Sequence, residues 1–312
     1  MKVLITGGAG FIGSHVAEEL VALNYNVVII DNLATSSTNY LPNGIRFYQM
    51  DIQDPSVESI FKNEKPDIVI HLAAQTSVIN SMKDPYFDFQ SNTAATVKIL
   101  DYSSNVGVKQ FLFASTAAVY GDSKKLPLQE SDVLDPQSFY AVSKYAAEKY
   151  IQTYAKLHNF TSTILRFANV YGPRQNNSGE AGVVDIFVST ILSENDCVIY
   201  GGNQTRDFIY VKDVAVACRK AVEKNKSGIF NVSSNIELAI GDLNDTMMKK
   251  MLSRGKTVYK PYRTGELLRS VLSNEKTKKE LGWLPLYTIS KGLDETIAHS
   301  IQIKSKNIAV KN

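Results

Sequence analysis

The first 168 residues alternate short apolar runs with longer stretches of mixed polarity. The runs at 2–6 (KVLIT), 26–31 (NVVIID), 45–51 (IRFYQMD), 67–73 (DIVIHLA), 109–116 (KQFLFAST) and 161–168 (TSTILRFA) are rich in β-branched residues. Several are nearly continuous in apolar residues, which predicts strands covered on both faces. The intervening stretches at 11–23, 55–64, 86–106 and 138–158 read as helices. Strand–helix–strand repetition of this kind argues for an α/β fold in which a parallel sheet is wrapped by helices.

After Asn169 the rhythm loosens. Residues 170–182 (VYGPRQNNSGEAG) combine a proline with three glycines, a loop signature. Shorter elements follow: a helix at 183–194, strands at 197–200 and 207–211, a helix at 213–224, a strand at 229–232, and helices near 241–253 and 274–281. The expected organisation is a sheet domain over 1–168 and a smaller α/β lobe over 169–312 facing the sheet's carboxyl edge, with some interdigitation of the chain. The lysine-rich end, 301–312, is expected to fray.

Composition narrows the function classes. With 312 residues, 44% hydrophobic and 21% charged, the chain resembles an ordinary globular protein that buries a core without metals or disulfides. A net charge of +3 is far from a nucleic-acid footprint. No run of 18 apolar residues predicts a membrane span, and glycines interrupt the apolar start before it resembles a secretory signal. Cys197 and Cys218 lie in no metal or redox spacing. They read as apolar fillers in a reducing, cytoplasmic setting.

The chemistry begins with LITGGAGFIGSHVAEEL. Gly7, Gly10 and Gly13 follow the first strand at G-x-x-G-x-x-G spacing and open the first helix. Gly7 suits a tight turn, Gly10 lets the backbone approach a pyrophosphate, and Gly13 allows close packing of helix on sheet. Phe11 and Ile12 lie between them. The motif turns the predicted architecture into a Rossmann-like doubly wound sheet. Asp31 ends the second strand 18 residues after Gly13, where an acid accepts hydrogen bonds from an adenosine ribose. A carboxylate there repels the extra phosphate of NADP, so NAD is the expected cofactor; the alternative is that Asp31 caps the next turn. Asn32, Asp51 and Ile52 are further candidates on the adenosine side.

Residues 138–150 (SFYAVSKYAAEKY) place Tyr140 and Lys144 on one face of a helix. A free tyrosine, with a pKa of ~10, is a poor base at neutral pH. A nearby ammonium favours the phenolate. Alone, the pair is as consistent with a surface helix as with catalysis.

Together with the glycine turn, this motif resembles the short-chain dehydrogenase/reductase superfamily. Length and later motifs resemble its extended branch, the nucleotide-sugar epimerases and dehydratases. The resemblance covers nearly the whole chain through HLAAQTSV (71–78), FASTAAVYGD (113–122), LRFANVYGPRQ (165–175), RDFIYVKDVA (206–215) and RTGELLRSVLSNEKTKKELGW (263–283).

The resemblance implies that Tyr140 removes a proton from a sugar hydroxyl while hydride leaves the same carbon for NAD. Thr116 matches the family's catalytic hydroxyl, and Ser115 supports it. Lys144 also reaches the nicotinamide ribose. Leu72, Ala73, Ala74 and Gln75 line the cofactor, and Asn92 supports the site unless it is a surface amide. Asn169 contacts the diphosphate, and Val183 lies on the substrate side. Arg206 and Arg263 pair with phosphate oxygens unless they are surface salt-bridge residues, and Glu266 binds the nucleotide ribose. Family dehydratases carry an acid pair after the threonine, whereas here Ala117 and Ala118 stand there. The implied reaction is therefore C4 epimerisation of a UDP-hexose through a 4-keto sugar and enzyme-bound NADH.

At Ser270 the family varies between a bulky aromatic and a small residue. Serine leaves room for an N-acetyl group at C2. A homodimer, through the helices at 86–106 and 138–158, is also implied. Two other readings stay open: a UDP-glucuronate 4-epimerase or decarboxylase of the same family, and a non-catalytic nucleotide-binding sensor.

Overall fold

A computed structural model describes residues 1–175, 182–262 and 267–309, with 306–309 as backbone alone. The strands of the first part are β1 (Lys2–Thr6), β2 (Asn26–Asp31), β3 (Arg46–Gln49), β4 (Ile68–His71), β5 (Gln110–Thr116) and β6 (Thr161–Phe167). The helices between them are α1 (Phe11–Ala22), α2 (Val57–Glu64), α3 (Val78–Lys83), α4 (Pro85–Phe89), α5 (Ala95–Asn105) and α6 (Phe139–His158). A π-helical turn, Gln90–Ala94, joins α4 to α5, and a 3₁₀ turn, Ala117–Tyr120, follows β5.

The second part contains β7 (Asn169–Tyr171), α7 (Val183–Leu192), β8 (Cys197–Tyr200), β9 (Thr205–Tyr210), α8 (Val211–Lys224) and β10 (Gly228–Val232). It continues through β11 (Glu237–Ala239), α9 (Ile240–Lys250), β12 (Thr257–Lys260), α10 (Glu275–Leu281) and α11 (Ile289–Ala309).

Seven strands form one parallel sheet in the order β10-β6-β5-β4-β1-β2-β3. The strand order reverses between β1 and β4, where open α/β sheets form a crevice at their carboxyl ends. Both faces are covered, as the continuous apolar runs require. Val3, Ile5, Ile29, Ile70, Leu112 and Leu165 enter one core with α1 and α8. Their strand neighbours Leu4, Ile30, Val69, Phe111 and Ile164 enter another with α2, α5 and α6. The period-2 geometry of a strand sends successive side chains to opposite faces.

The chain beyond 169 contributes to both halves. β10 pairs with β6, while α8 packs on α1. The other elements build a lobe with its own core around Phe187, Ile199, Phe208, Leu243 and Leu293. β11-β9-β7 and β12-β8 form its two small sheets.

The structure corrects the expected fraying of 301–312 as far as residue 309. Leu293 and Ile297 are buried four residues apart on α11, so the helix is anchored by packing. The Lys304 ammonium donates to the Leu192 carbonyl at the end of α7. Among the described residues, no helix is long and apolar enough to cross a membrane.

Candidate active site

The carboxyl ends of β1, β2, β4 and β5 place the sequence-predicted residues along one edge of the sheet. Gly7 has φ +71°, and a Cβ there would lie 2.6 Å from the Ala73 nitrogen, so the turns after β1 and β4 touch. At Gly13 a Cβ would fall 2.1 Å from the Gly7 carbonyl oxygen. At Gly10 it would meet only that oxygen, at 3.2 Å, which leaves the outer side of the turn open. Gly10 precedes α1 without a side-chain cap, and Phe11 and Ile12 form its first turn. An uncapped helix start beside an open glycine backbone suits a phosphate group.

Asp31 is 7% exposed. Its carboxylate accepts from Ala9 N at 3.0 Å, Leu33 N at 2.9 Å and Ser36 Oγ at 2.8 Å. It both caps its own turn and ties that turn to the glycine loop, with about one acceptor position left for a ribose hydroxyl. Asn32 donates to Asp51 Oδ2 at 2.8 Å, and Ile52 is buried beside them. These residues fit a dinucleotide: a backbone cradle for phosphates and an acid on the next strand.

Leu72, Ala73, Ala74 and Gln75 follow β4, and all are partly exposed. His71, at the end of β4, is 1% exposed and packs between Thr6 Oγ1 at 2.6 Å and Thr96 Oγ1 at 3.0 Å. Burial, with a smaller push from Lys144, holds its pKa down at about 3, so the ring is neutral and structural.

Tyr140 and Lys144 stand on successive turns of α6, whose N-cap Ser138 accepts from Ala141 N. Lys144 is 3% exposed, donates to the Ala114 carbonyl at 2.9 Å and lies over the Phe113 ring. That carbonyl belongs to β5, two residues before Thr116. Burial brings the Lys144 pKa down to about 8, while Asp88 and then Glu148 pull it back up. Tyr140 is half-buried. Thr116 Oγ1 accepts from Ala118 N at 3.1 Å, which turns β5 into the 3₁₀ segment carrying Ala117 and Ala118. Ser115 points the other way and donates to Glu148 Oε1 at 2.5 Å. Glu148 in turn holds Arg166 Nε and Nη2 at 3.0 and 2.7 Å.

Asn92 is buried in the π-helical turn, 2% exposed. It accepts from Gln75 N at 2.9 Å, and its amide nitrogen lies 2.9 Å from the Gln75 carbonyl, 3.0 Å from Asp88 Oδ1 and 3.2 Å from Ser143 Oγ. The turn after β4 is thereby tied to the helix bearing Lys144.

On the lobe side, Asn169 begins β7 and is exposed, while Val183 opens α7. Arg206 Nη1 donates to the Leu267 carbonyl at 2.8 Å, and Thr205 N to the Leu268 carbonyl at 2.9 Å. Leu128 bonds to both sides of Leu272, through Val271 O and Ser273 N. The segment 267–273 is thus pinned between β9 and the chain following β5, and Ser270 is half-buried within it. Arg263 and Glu266 lie outside the described residues.

Three buried charged residues around the Tyr140–Lys144 helix were missed from the sequence: Asp88, Glu148 and Arg166. Glu148 carried a readable signal, since it continues the four-residue spacing of Tyr140 and Lys144. Asp88 carried a weaker one, four residues before Asn92.

A model of the NAD dependent epimerase/dehydratase family matches residues 3–233. Solved structures are similar over nearly the whole chain. The UDP-glucose 4-epimerase of Thermotoga maritima, solved with UDP-glucose, is 37% identical with a TM-score of 0.94, covering 97% of this chain and all of that one. The UDP-glucose 4-epimerase of Thermus thermophilus, in complex with NAD, is 37% identical with a TM-score of 0.91, covering 96% and 98%. The UDP-N-acetylglucosamine 4-epimerase of Methanobrevibacter ruminantium, in complex with UDP-N-acetylmuramic acid, is 34% identical with a TM-score of 0.92, covering 97% and 98%. With its glycine turn on β1 and its Tyr–Lys helix against β5, the chain belongs to the NAD-dependent epimerase/dehydratase family.

Proposed function

We propose that the protein is a UDP-hexose 4-epimerase that interconverts UDP-glucose and UDP-galactose and also accepts their 2-N-acetylated counterparts. The observation carrying this reading is the end of β5. Thr116 stands on the sheet edge where α6 brings Tyr140 and Lys144, and the two residues after it are alanines. Ala117 and Ala118 have no group to remove a proton from C5 or to protonate a departing C6 hydroxyl. Dehydration therefore lacks its acid–base pair, while oxidation and re-reduction at one carbon needs only the proton carrier Tyr140.

The glycine turn, Asp31 and the segment 72–75 hold NAD, which supplies a hydride acceptor that later returns the hydride. Lys144 presents a buried positive charge that favours the Tyr140 phenolate. Tyr140 Oη takes the proton of the sugar 4-hydroxyl and gives it back, with Thr116 Oγ1 hydrogen-bonded to the same oxygen. Asn169, Arg206 and Arg263 hold the diphosphate, and Glu266 the ribose. Anchoring the nucleotide while leaving the hexose loosely held lets the sugar present its other face. Ser270 leaves space beside C2. Exposed apolar side chains on α3, α4 and α6, including Met82, Phe87, Phe139 and Val142, support a homodimer through this face.

Proton NMR of purified protein with UDP-glucose, and separately with UDP-N-acetylglucosamine, tests the reading, first without and then with added NAD. Galacto-configured product from both is expected. Product from UDP-glucose alone removes the claim for Ser270. No epimer from either, with NAD present, overturns the reading, and turnover of UDP-glucuronate would then identify the other branch. The Tyr140→Phe variant should fold with unchanged Tm and lose about 10²–10⁴-fold in kcat.

A further inference from the structure

A carboxylate outside the recognised motifs is buried beside the helix of Lys144, joined through Asn92 to Ser143. Asp88 is 1% exposed. Its Oδ1 accepts from Gln75 Nε2 at 2.8 Å and Asn92 Nδ2 at 3.0 Å. Its Oδ2 is buried without a hydrogen-bond partner among the described residues. A buried carboxylate costs several kcal/mol in lost solvation unless another charge compensates it. Neither amide donor carries a charge.

The groups around Lys144 identify that charge. Its own helix supplies Tyr140 one turn before and Glu148 one turn after. β4 supplies His71, held neutral. β5 supplies only the Ala114 carbonyl and the Phe113 ring. β6 supplies Arg166, which reaches this region through Glu148. The α4–π-turn segment supplies Asp88. Glu148 is already matched, since the Arg166 guanidinium grips both its oxygens and Ser115 donates to one of them. Among the described residues around Lys144, that leaves Asp88 and Lys144 itself without an opposite charge in hydrogen-bond contact. The order of their effects agrees, because Asp88 acts on Lys144 more strongly than Glu148 does.

We propose that Asp88 is the positioning residue for the Tyr140–Lys144 pair: its carboxylate is the counter-charge that keeps the buried Lys144 ammonium protonated. Through Gln75 and Asn92, the same carboxylate fixes the turn after β4 against α6. A neutral Lys144 would give Tyr140 no electrostatic support, so this charge sets the upper pH limit of the pair. The role deepens the reading of Lys144 given above and rests on it.

The test is a ¹³Cε titration of lysine-labelled full-length protein without substrate, with the Lys144 signal assigned from Lys144→Met. The wild-type midpoint should lie near 8. In Asp88→Asn it should fall by about one pH unit or more, while Asp88→Glu, which keeps the charge, should restore most of the shift. Asp88→Ser carries the same expectation as Asp88→Asn if the asparagine variant does not fold. An unchanged midpoint in the neutral variant overturns the proposal. So does a wild-type midpoint below about 7, which would mean that nothing offsets the burial of Lys144. The alkaline limb of kcat should move down with the midpoint. A uniform fall in kcat at every pH, with no shift of the limb, marks a merely structural role and also overturns it. Because the titration uses no substrate, failure of the epimerase reading leaves its result intact.

Discussion

Gly13 and Ser270 stand on the proposed cofactor and substrate sides of the candidate site, and their surroundings are built differently. Around Gly13 backbone meets backbone: an added Cβ would fall 2.1 Å from Gly7 O and 2.7 Å from Gly8 Cα. Around Ser270 the segment is held by Arg206 on Leu267, by the exposed Arg269–Glu237 pair and by backbone bonds to Leu128 and Thr205. Backbone cannot be exchanged without moving the fold, whereas a side chain can.

The largest expected effect breaks the backbone side. Gly13→Ala must push α1 off the sheet or open the turn, and overpacking of this kind costs about 3 kcal/mol or more. The purified variant should carry no NAD and show a lowered Tm. A cofactor-loaded variant of unchanged Tm would refute the rigid-cradle view.

Next comes Glu148→Gln, which leaves Arg166 buried without its counter-charge. Breaking one partner of a buried pair costs about 3–5 kcal/mol, measurable by denaturant unfolding. It would show that side chains also hold the sheet half wherever charges are fully buried.

On the substrate side, Ser270→Tyr should lower kcat/KM for UDP-N-acetylglucosamine by about 10–200-fold and leave UDP-glucose turnover nearly unchanged. Equal rates for variant and wild type on the acetylated sugar would remove Ser270 as the selector.

The smallest effect is in pH dependence, where the two sides carry opposite signs. His71 has a folded pKa of about 3, below its ordinary 6.5, because it is buried. Its unfolded form alone binds a proton between these values, so stability rises with pH over that window and is lost as pH falls. Burial pushes Asp207 of β9 up to about 6 from 3.8, against four hydrogen bonds from Ser234, Asn235 and Leu272. Its folded form alone binds a proton between those values, so its contribution is lost as pH rises through them. Between pH 4 and 6, His71→Gln should make the slope of stability against pH more negative, and Asp207→Asn more positive. Each change is at most about 1.4 kcal/mol per pH unit.

Much of the sheet half was legible because its signals are local. Apolar runs located β1, β2, β5 and β6 to within a residue or so, and the glycine spacing marked the turn after β1. The lobe was less legible. β7, β11 and β12 have three or four residues each and pair with distant partners, so no periodicity marks them. α11 was missed, its lysine-rich end being read as solvated, although Leu293 and Ile297 anchor its first turns. Within the site, Tyr140, Lys144 and Thr116 stood out by motif. Asp88 did not, since in DPYFDFQSN only its place four residues before Asn92 hints that it is 1% exposed.

The sequence by itself determined the parallel sheet, the phosphate-type turn and the helix that carries tyrosine and lysine on one face. Each depends on spacing within a few residues, where φ/ψ preference and side-chain period decide the outcome. The tertiary structure alone decided that β10 returns to the sheet beside β6, that segment 267–273 lies against β9, and that Asp88 is tied through Asn92 to the helix bearing Lys144. Those arrangements join residues roughly fifty to sixty-five positions apart. The free energy that selects them comes from burying surface and charge together, which no local stretch of chain encodes.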